Sequence, residues 1–288
     1  MSAENVIRRF AFQRADVRGE WVRVTSEFIA LCGSQAYPPA VRDQLGEFTA
    51  ACLLLASTLK FSGKFSLQVR SQGPVSLLMV ECSNQKAIRG LARFSDVNAK
   101  QGMRELLPSG TLAATVSPER SEQYQSVVPM TGACLADSLE HYFMQSDQLA
   151  TRLKLHADEH GATGFLVQQM PPQHQMDKAD RDEVWRYVDV MTETLQPNEL
   201  SQLSAAGVLS RLYVEQDVTL YAPELVKFRC SCSAQRMAGA LIGLGADQLR
   251  DLLAETPVID LSCEFCDQNY SFDEATLLDV AKAGNPSH

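Results

Sequence analysis

The sequence contains no long uncharged apolar run. In this chain of 288 residues, the longest strongly apolar segment without a charged residue extends from Phe48 to Leu59. That segment is shorter than the ~20 residues that a membrane-spanning helix needs. The first segment, Met1 to Trp21, is rich in charge and lacks the apolar stretch of a secretory signal. We therefore expect a cytoplasmic protein with no membrane partner.

Basic residues are in the minority. The 35 Asp and Glu residues outnumber the 26 Lys and Arg residues, so the net charge is −9. A surface with this charge repels nucleic acid and anionic lipid. Gly239, Gly243 and Gly245 are not followed by the lysine of a phosphate-binding loop. These glycines therefore do not predict a nucleotide site, and nucleic acid is not expected as a partner.

Two short motifs match enzyme signatures but lack their context. Residues His156 to His160 match H-x-x-E-H, a zinc-protease motif that needs both histidines on one helical face. Here the stretch follows an alternating strand pattern and runs into Gly161 and Gly164, which favours a solvated hairpin turn. Residues Ser57 to Lys60 match S-x-x-K, but the companion elements of a serine acyl-enzyme site are missing. No catalytic residue is predicted, and we do not expect an enzyme.

What the sequence does contain is a quartet of cysteines near its end. Cys230 and Cys232 form one close pair, and Cys263 and Cys266 form a second. Two close pairs separated by a small module are what a tetrahedral thiolate site requires, because each pair lies on a tight turn with its sulfurs pointing inward. We predict that these four residues bind one Zn2+ per chain. The first pair is C-x-C and not the commoner C-x-x-C.

The eight cysteines occur without an export signal, which favours reduced thiols or metal ligands over a disulfide framework. The four cysteines outside the quartet are scattered along the chain. We predict no role for them beyond that of small buried hydrophobic residues. They are Cys32, Cys52, Cys82 and Cys134.

Three functions are compatible with the quartet. A zinc ribbon that binds nucleic acid needs basic residues, but residues 230–288 contain three basic residues and nine acidic ones. A thioredoxin-like oxidoreductase would use Cys263 and Cys266, but no βαβ pattern surrounds them. The third function is a redox switch held by a metal. The alternative to a switch is a constitutive structural zinc module on a protein-interaction scaffold. Thiols that stay inert to peroxide would identify this alternative.

The hydrophobic periodicity predicts an α+β fold. One helix is predicted from Val41 to Leu59 and a second after Gly132, with strands between and after them. The last two strands are predicted to form a hairpin with a turn from Asp158 to Gly164, whereas no element is predicted for residues 1–20. Residues 1–175 are thus expected to form an N-terminal mixed sheet-and-helix domain. The predicted strands are 65–69, 75–80, 91–94, 111–116, 124–128, 152–156 and 165–170.

An amphipathic helical linker is predicted for residues 176–229. Four apolar residues of its first helix lie on one face, and a shorter apolar pattern follows Pro197. These helices contain too little chain for a core of their own, so we expect them to pack on the N-terminal sheet. The four residues are Val184, Val188, Met191 and Leu195.

A small zinc-binding module, residues 230–288, completes the predicted organisation. Its pattern predicts two helices, then two strands joined by a turn at the second cysteine pair, then a last helix. Val226 and Phe228 predict a strand that leads into the first cysteine pair. Asp273 is the expected N-cap of the last helix, which is expected to end at Gly284 to Pro286.

Several stretches carry a family resemblance over essentially the whole length. The quartet, with C-x-C and C-x-x-C at this separation, is the most specific. With these motifs, the chain resembles the heat shock protein 33 family, the 33 kDa chaperonins. Ala150 departs from the pattern, because relatives often have proline there. The other matching stretches are Tyr37-Pro38, Thr58 to Gly63, Gly73-Pro74, Arg89 to Arg93, Glu140 to Leu149, Phe228 to Cys232 and Ile259 to Cys266.

The resemblance implies a redox-regulated, ATP-independent holdase chaperone of the cytoplasm that is inactive when reduced and zinc-bound. Oxidation would pair Cys230 with Cys232 and Cys263 with Cys266, release the zinc and unfold the switch region. The exposed apolar surface would bind unfolding client proteins, and the four linker residues named above are the candidates for that contact. The family is described as dimerising when oxidised, which implies a homodimer in that state.

Overall fold

The computed structural model describes residues 4–33, 35–98, 101–173 and 177–283. The chain divides into two compact units. The large unit comprises Met1–Cys32 and Ala36–Phe228, and the small unit comprises Gly33–Gln35 and Arg229–His288.

The large unit contains both helices and strands. Its helices are α1 (Ser26–Cys32), α2 (Pro39–Thr58), α3 (Met103–Leu106), α4 (Leu135–Tyr142), α5 (Lys178–Glu193), α6 (Pro197–Gln202) and α7 (Ala205–Leu212), and a π-helical turn (Phe143–Asp147) follows α4. Its strands are β1 (Asn5–Phe12), β2 (Val17–Val24), β3 (Gly63–Arg70), β4 (Val75–Ser83), β5 (Ala87–Phe94), β6 (Thr111–Pro118), β7 (Tyr124–Pro129), β8 (Thr151–Asp158), β9 (Gly161–Gln169), β10 (Val218–Leu220), β11 (Glu224–Leu225) and β12 (Lys227–Phe228).

The strands of the large unit form two six-stranded sheets. The order of the first sheet is β10-β1-β2-β9-β8, with β11 also pairing with β1, and the order of the second is β12-β5-β4-β3-β6-β7. Neighbouring strands are antiparallel, apart from β12, which runs parallel to β5. The predicted α+β fold is confirmed, with two sheets where the sequence pattern indicates one.

Helix α2 is the centre of the main apolar core. It packs against β2, β8 and β9 of the first sheet and against β3, β4 and β5 of the second. Proline in its first turn suits the start of a helix, because the missing N–H would have no partner there. Val41, Leu45 and Phe48 are fully buried, and so are Ala50 and Leu54 on other sides of the helix. The helix that the periodicity predicts from Val41 to Leu59 is confirmed.

Strands β1 and β2 are among the elements that the sequence pattern does not reveal. Ile7 of β1 packs in the main apolar core around α2, whereas Val6 and Phe10 pack in a second apolar cluster. Both faces of β1 are therefore covered. A strand buried on both sides lacks the simple alternation of apolar and polar residues. The charges of Arg8 and Arg9 interrupt the apolar run as well.

The predicted turn from Asp158 to Gly164 is too long. Strand β9 begins at Gly161, so only Glu159 and His160 form the turn. The Oδ1 atom of Asp158 accepts the backbone N–H of His160 at 2.8 Å and that of Gly161 at 3.2 Å. Gly161 and Gly164 are strand residues that allow close packing. A Cβ at Gly161 would lie 2.5 Å from the Val24 carbonyl oxygen, and one at Gly164 would lie 2.7 Å from Leu54 Cδ1.

Helices α5 to α7, here called the linker helices, pack on the first sheet as expected. Asp177 caps α5 by accepting the backbone N–H of Asp180, and Ser204 caps α7 by accepting that of Gly207. Their apolar side chains and those of β1, β2 and β9 form one buried cluster. The linker side of the cluster includes Val188, Leu195, Leu200, Val208, Leu209 and Leu212, and the sheet side includes Phe10, Phe12, Val17, Trp21, Phe165 and Val167.

The small unit has the predicted order of elements, which are α8 (Ala234–Ile242), α9 (Ala246–Glu255), β13 (Val258–Ser262), β14 (Asn269–Asp273) and α10 (Glu274–Ala283). Its apolar core is small and centres on Ala238, Leu241, Phe272 and Leu277. Oδ1 of Asp273 accepts the backbone N–H of Thr276 at 2.8 Å, which confirms the predicted cap of α10. The expected end of this helix at Gly284 to Pro286 lies outside the described residues.

The predicted boundary between residues 175 and 176 also lies outside the described residues. The three-part division of the chain therefore stays a prediction. Within the described ranges, none of the helices combines the length and the apolar character that crossing a membrane would demand.

Candidate metal centre

A loop and a turn of the small unit supply the cysteine quartet. Cys230 and Cys232 follow β12 in the chain and precede α8, which is capped by the Ser233 side chain. Cys263 and Cys266 lie in the turn that joins β13 to β14. The expectation that a strand leads into the first pair and a hairpin carries the second agrees with these positions.

Backbone hydrogen bonds shape the turn between β13 and β14. The N–H groups of Cys266 and Asp267 both donate to the carbonyl of Cys263, at 3.2 and 2.8 Å, and the N–H of Cys263 donates to the carbonyl of Gln268 at 3.0 Å. Asp267 adopts a φ of 56°, a left-handed conformation that aspartate tolerates in turns. The turn brings both of its sulfurs to the first cysteine pair.

The four sulfurs converge. The Sγ atoms of Cys230 and Cys263 are 3.6 Å apart, those of Cys232 and Cys266 are 3.4 Å apart, and all four lie within 4.8 Å of one another. In a tetrahedral site with metal–sulfur bonds of about 2.3 Å, the sulfurs would be roughly 3.8 Å apart. The quartet therefore has the donor atoms and the spacing to hold a metal ion. No other group of three or more His, Cys, Asp or Glu side chains does so within the part of the chain described here.

The quartet is only partly covered. Cys263 is buried, whereas Cys230, Cys232 and Cys266 keep part of their surface exposed. A small oxidant can therefore reach at least three of the four residues. Thiolates are the form of cysteine that reacts with oxidants, so access of this kind matters chemically.

The thiols of the quartet differ in acidity. Burial raises the pKa of Cys230 and of Cys266. Burial also acts on Cys232, but the hydroxyl of Tyr270 and the neighbouring sulfurs outweigh it and lower the pKa of this thiol to about 7. The Tyr270 hydroxyl donates to Sγ of Cys232 at 3.1 Å, and this hydrogen bond raises the pKa of Tyr270 to about 12.

Comparison with known proteins identifies the family. The family model described as Hsp33 protein matches residues 5–273. The chain is 43% identical to the 33 kDa chaperonin of Ectopseudomonas mendocina (strain ymp) over 284 residues, which covers 96% of both chains. It is also 43% identical over 289 residues to the 33 kDa chaperonin of Pseudomonas aeruginosa (strain UCBPP-PA14), covering 99% of this chain and 97% of that one. The chain belongs to the Hsp33 family.

A solved structure shares the fold. The crystal structure of the 33 kDa chaperonin from Thermotoga maritima superposes with a TM-score of 0.79 and covers 98% of this chain and 99% of its own. The two sequences are 19% identical, so this likeness concerns the fold alone. Together with the family match, it confirms the resemblance to heat shock protein 33 that the sequence motifs indicate.

The four scattered cysteines of this Hsp33 chain lie outside the quartet. Cys52 and Cys82 are fully buried in the large unit, and burial raises the pKa of both, that of Cys82 to about 12. Burial also raises the pKa of Cys134, and that of Cys32 to about 11. At neutral pH these residues are thiols and not thiolates, so they are poor nucleophiles.

The four candidate client-binding residues are covered in this state. Val188 and Leu195 are buried, Val184 and Met191 are partly buried, and all four belong to the cluster between the linker helices and the first sheet. Their role in binding clients stays a prediction, because it requires that the linker helices leave the sheet.

Two features of the Hsp33 chain are not evident from the sequence motifs. The first is the contact of Tyr270 with Cys232. The alternation of Tyr270 with Phe272, directly after the second cysteine pair, is the sequence signal that could have placed Tyr270 near the quartet. Arg152 binds Glu140 on α4 and Asp189 on α5. These three residues are far apart in the sequence, so no local pattern predicts their contact.

Proposed function

We propose that this chain is a redox-regulated, ATP-independent holdase chaperone whose quartet binds one Zn2+ in the reduced state. The observation that carries the proposal is the convergence of four cysteine sulfurs on a small unit with a thin apolar core, in a chain of the Hsp33 family. The reduced form is inactive. Oxidation forms two disulfides, releases the metal and uncovers apolar surface that binds unfolding proteins and prevents their aggregation.

Zinc is the ion that the donor set favours. Four thiolates are soft ligands, and a tetrahedral arrangement of four sulfurs is typical of structural zinc. When bound, the ion supplies positive charge that keeps all four sulfurs deprotonated, and it links the two segments that carry the cysteine pairs.

The sulfur chemistry is a two-electron oxidation of each cysteine pair. A thiolate sulfur attacks peroxide, an S–O bond forms, the O–O bond breaks, and hydroxide leaves with the electron pair. The second thiolate of the pair attacks the resulting sulfenic acid, forms the S–S bond and displaces another hydroxide. Each disulfide thus consumes one peroxide and removes two ligands from the quartet.

The pairing is proposed to be Cys230 with Cys232 and Cys263 with Cys266, as the family resemblance implies. In the folded small unit the shortest sulfur distances instead join the two pairs. Residues within each pair are close in sequence, so closing the loop between them costs little chain entropy even after the small unit has lost its fold. Thiol trapping followed by mass measurement would distinguish the two pairings.

Loss of the ligands should unfold the small unit. Its core consists of a few residues around Phe272 and Leu241, far less than the core around α2 in the large unit. Structural zinc supplies on the order of 10–16 kcal/mol of apparent binding free energy in small domains, more than such a core provides. Oxidation therefore removes ligands, metal and fold together.

Release of the linker helices is the proposed consequence. The small unit begins directly after β12, the two-residue strand that pairs with β5. Burying each large apolar side chain of the linker contributes about 1.5–3 kcal/mol, while ordering each residue costs about 1–2 kcal/mol. Because the two contributions are of similar size, a modest additional loss of stability shifts the linker helices toward the released state.

Release would expose apolar residues on both sides of the interface. Val184, Val188, Met191 and Leu195 come from the linker, and Phe10, Trp21 and Phe165 come from the first sheet. Large exposed apolar patches bind other apolar surfaces. Unfolding client proteins are the partners proposed for this surface. A second oxidised copy of the chain is the alternative partner proposed for it, and its binding gives a homodimer. The net charge of −9 favours solubility of this state and disfavours nucleic acid.

The test is one peroxide titration in which zinc release and suppression of client aggregation are followed in parallel. Both signals are expected to rise together, and dithiothreitol with added zinc is expected to reverse them. The control is the double variant Cys32→Ser, Cys134→Ser, which lacks the two partly exposed cysteines outside the quartet and should respond like the unsubstituted chain. Suppression that stays unchanged after complete zinc loss would refute the switch, and thiols inert to peroxide would favour a constitutive structural zinc module.

A further inference from the structure

The side chain of Tyr270 is held against a sulfur of the quartet. Its hydroxyl lies 3.1 Å from Sγ of Cys232. Its ring is nearly parallel to that of Phe272, with centroids 6.4 Å apart and an interplanar angle of 12°, and its backbone pairs with Leu261 across the hairpin. Phe272 is buried in the core of the small unit. The hairpin and its core therefore determine where the hydroxyl points.

The hydroxyl must be the donor when Cys232 is a thiolate, because a thiolate has no proton to give. Hydrogen bonds to a charged acceptor are stronger than those between neutral groups. Donation stabilises a sulfur lone pair, and attack on an oxidant requires a lone pair of the same sulfur. The hydrogen bond must therefore weaken before Cys232 reacts.

Cys232 differs from two other members of the quartet in the kind of donor it meets. Backbone N–H groups, those of Cys232 and Gln268, act to lower the pKa of Cys230 and of Cys266 against the effect of burial. Backbone donors persist whatever the side chain. The Tyr270 hydroxyl, in contrast, depends on the identity of one residue and can be removed without changing the backbone.

We propose that Tyr270 is a positioning residue of the redox switch: in the zinc-loaded quartet, where Cys232 is already a thiolate, its hydroxyl holds that sulfur and slows its reaction with peroxide. In the slowed step, the Cys232 sulfur forms a bond to one peroxide oxygen, the O–O bond breaks, and hydroxide leaves with the electron pair. A second thiolate then displaces hydroxide and forms the disulfide. Tyr270 keeps its proton and is not oxidised. The inference rests on the proposed function only in that the quartet is taken to react with peroxide.

The test compares Tyr270→Phe with the unsubstituted zinc-loaded chain. Alkylation of each cysteine by iodoacetamide is followed by mass spectrometry, and peroxide-driven zinc release is followed with a metal-sensitive dye. Loss of a hydrogen bond to a charged group should raise the rates of Cys232 alkylation and of zinc release about ten- to a hundredfold. The matched control is Tyr124→Phe, which removes the hydroxyl of a tyrosine that is 68% exposed in the large unit, and it should leave both rates unchanged. Equal or slower rates in Tyr270→Phe overturn the proposal.

A second measurement does not depend on how well the variant folds. In the unsubstituted chain loaded with cadmium, nuclear magnetic resonance should show scalar coupling between the metal nucleus and the Tyr270 hydroxyl proton, transmitted through the sulfur. Absence of this coupling in a well-resolved spectrum overturns the proposal. The proposed redox switch and the proposed role of Tyr270 can fail separately. An unsubstituted chain that keeps its zinc in peroxide refutes the redox switch. The alkylation and coupling experiments would still decide the role of Tyr270.

Discussion

The guanidinium group of Arg152 on β8 binds the carboxylate of Asp189 on α5, with Nη2 3.3 Å from Oδ2. Its Nη1 atom also donates to Glu140 on α4 at 2.8 Å. The hydrogen bond with Asp189 raises the pKa of Arg152 above its usual value. Lys154, two residues along β8, binds Glu193 near the end of α5 at 2.8 Å. An ionic network thus joins the first linker helix to the first sheet at the side of the buried apolar cluster.

Replacing Arg152 should loosen the linker helices. Arg152→Ala leaves Glu140 and Asp189 without their shared cation, and partly exposed ionic networks of this kind contribute about 1 kcal/mol. We expect faster hydrogen exchange in α5 and zinc-independent suppression of client aggregation at a lower temperature than in the unsubstituted chain. Arg14→Ala is the matched control, because Arg14 is 86% exposed and its ion pair is with Asp217, which is not a residue of α5. Equal exchange in the two variants would contradict the role of Arg152.

Two neighbouring valines of α5 offer a sharper comparison. Val188 is fully buried against the first sheet, whereas Val190 is 57% exposed. Val188→Ala should weaken the docking of the linker helices on the sheet by about 2 kcal/mol, because apolar burial is lost and a cavity is left behind. Val190→Ala, on the same helix, should have almost no effect. The measurement is the peroxide concentration at half-maximal suppression of client aggregation, which should fall only in Val188→Ala. A similar fall in both variants would show that burial of Val188 against the sheet does not control the switch.

Removing one ligand should uncouple the small unit from its metal. In Cys263→Ser the quartet loses its buried sulfur, so we expect less than one zinc per chain and loss of the thermal transition of the small unit. Thiol trapping after peroxide should find one disulfide, between Cys230 and Cys232. Cys134→Ser removes a cysteine outside the quartet and should keep the zinc and both disulfides. Full zinc binding by Cys263→Ser would show that this cysteine is not a ligand.

A buried carboxyl predicts a pH dependence of the large unit. Glu20 on β2 is 2% exposed, and burial raises its pKa from 4.5 to about 7 against the opposing charges of Arg18, Arg9 and Lys86. The folded state therefore retains a proton that the unfolded state releases. The resulting stability is fully present below about pH 4.5 and is lost as the pH rises to about 7. The free energy of unfolding should fall by on the order of 3 kcal/mol over that range.

The variant Glu20→Gln tests this dependence. Glutamine has a similar shape but no charge, so the variant should be more stable than the unsubstituted chain above neutral pH and equal to it in acid. Glu122→Gln is the control, since Glu122 is exposed. Chemical denaturation at several pH values measures the difference. Parallel stability profiles for Glu20→Gln and the unsubstituted chain would show that Glu20 is not the group responsible.

Prediction from the sequence succeeded where the signal is local. The alternation of Phe65, Leu67 and Val69 predicts β3, and the helical spacing after Val41 predicts α2. It failed for β1, whose two faces are both buried, and it misplaced the turn before Gly161, because glycine there serves close packing and not a reversal of the chain. A local pattern cannot state which surface will later cover a residue.

The candidate site follows the same rule. Cys230, Cys232, Cys263 and Cys266 can be chosen from spacing alone, because a tetrahedral thiolate site imposes its own pairing of close residues. The sequence by itself thus determined the candidate ligands, the helical face of the linker and the family. Only the tertiary structure decided that Tyr270 meets Cys232, that Arg152 meets Asp189 and that Val188 is covered by the sheet. Those contacts join residues on separate elements, and their distances exist only once packing has brought the elements together.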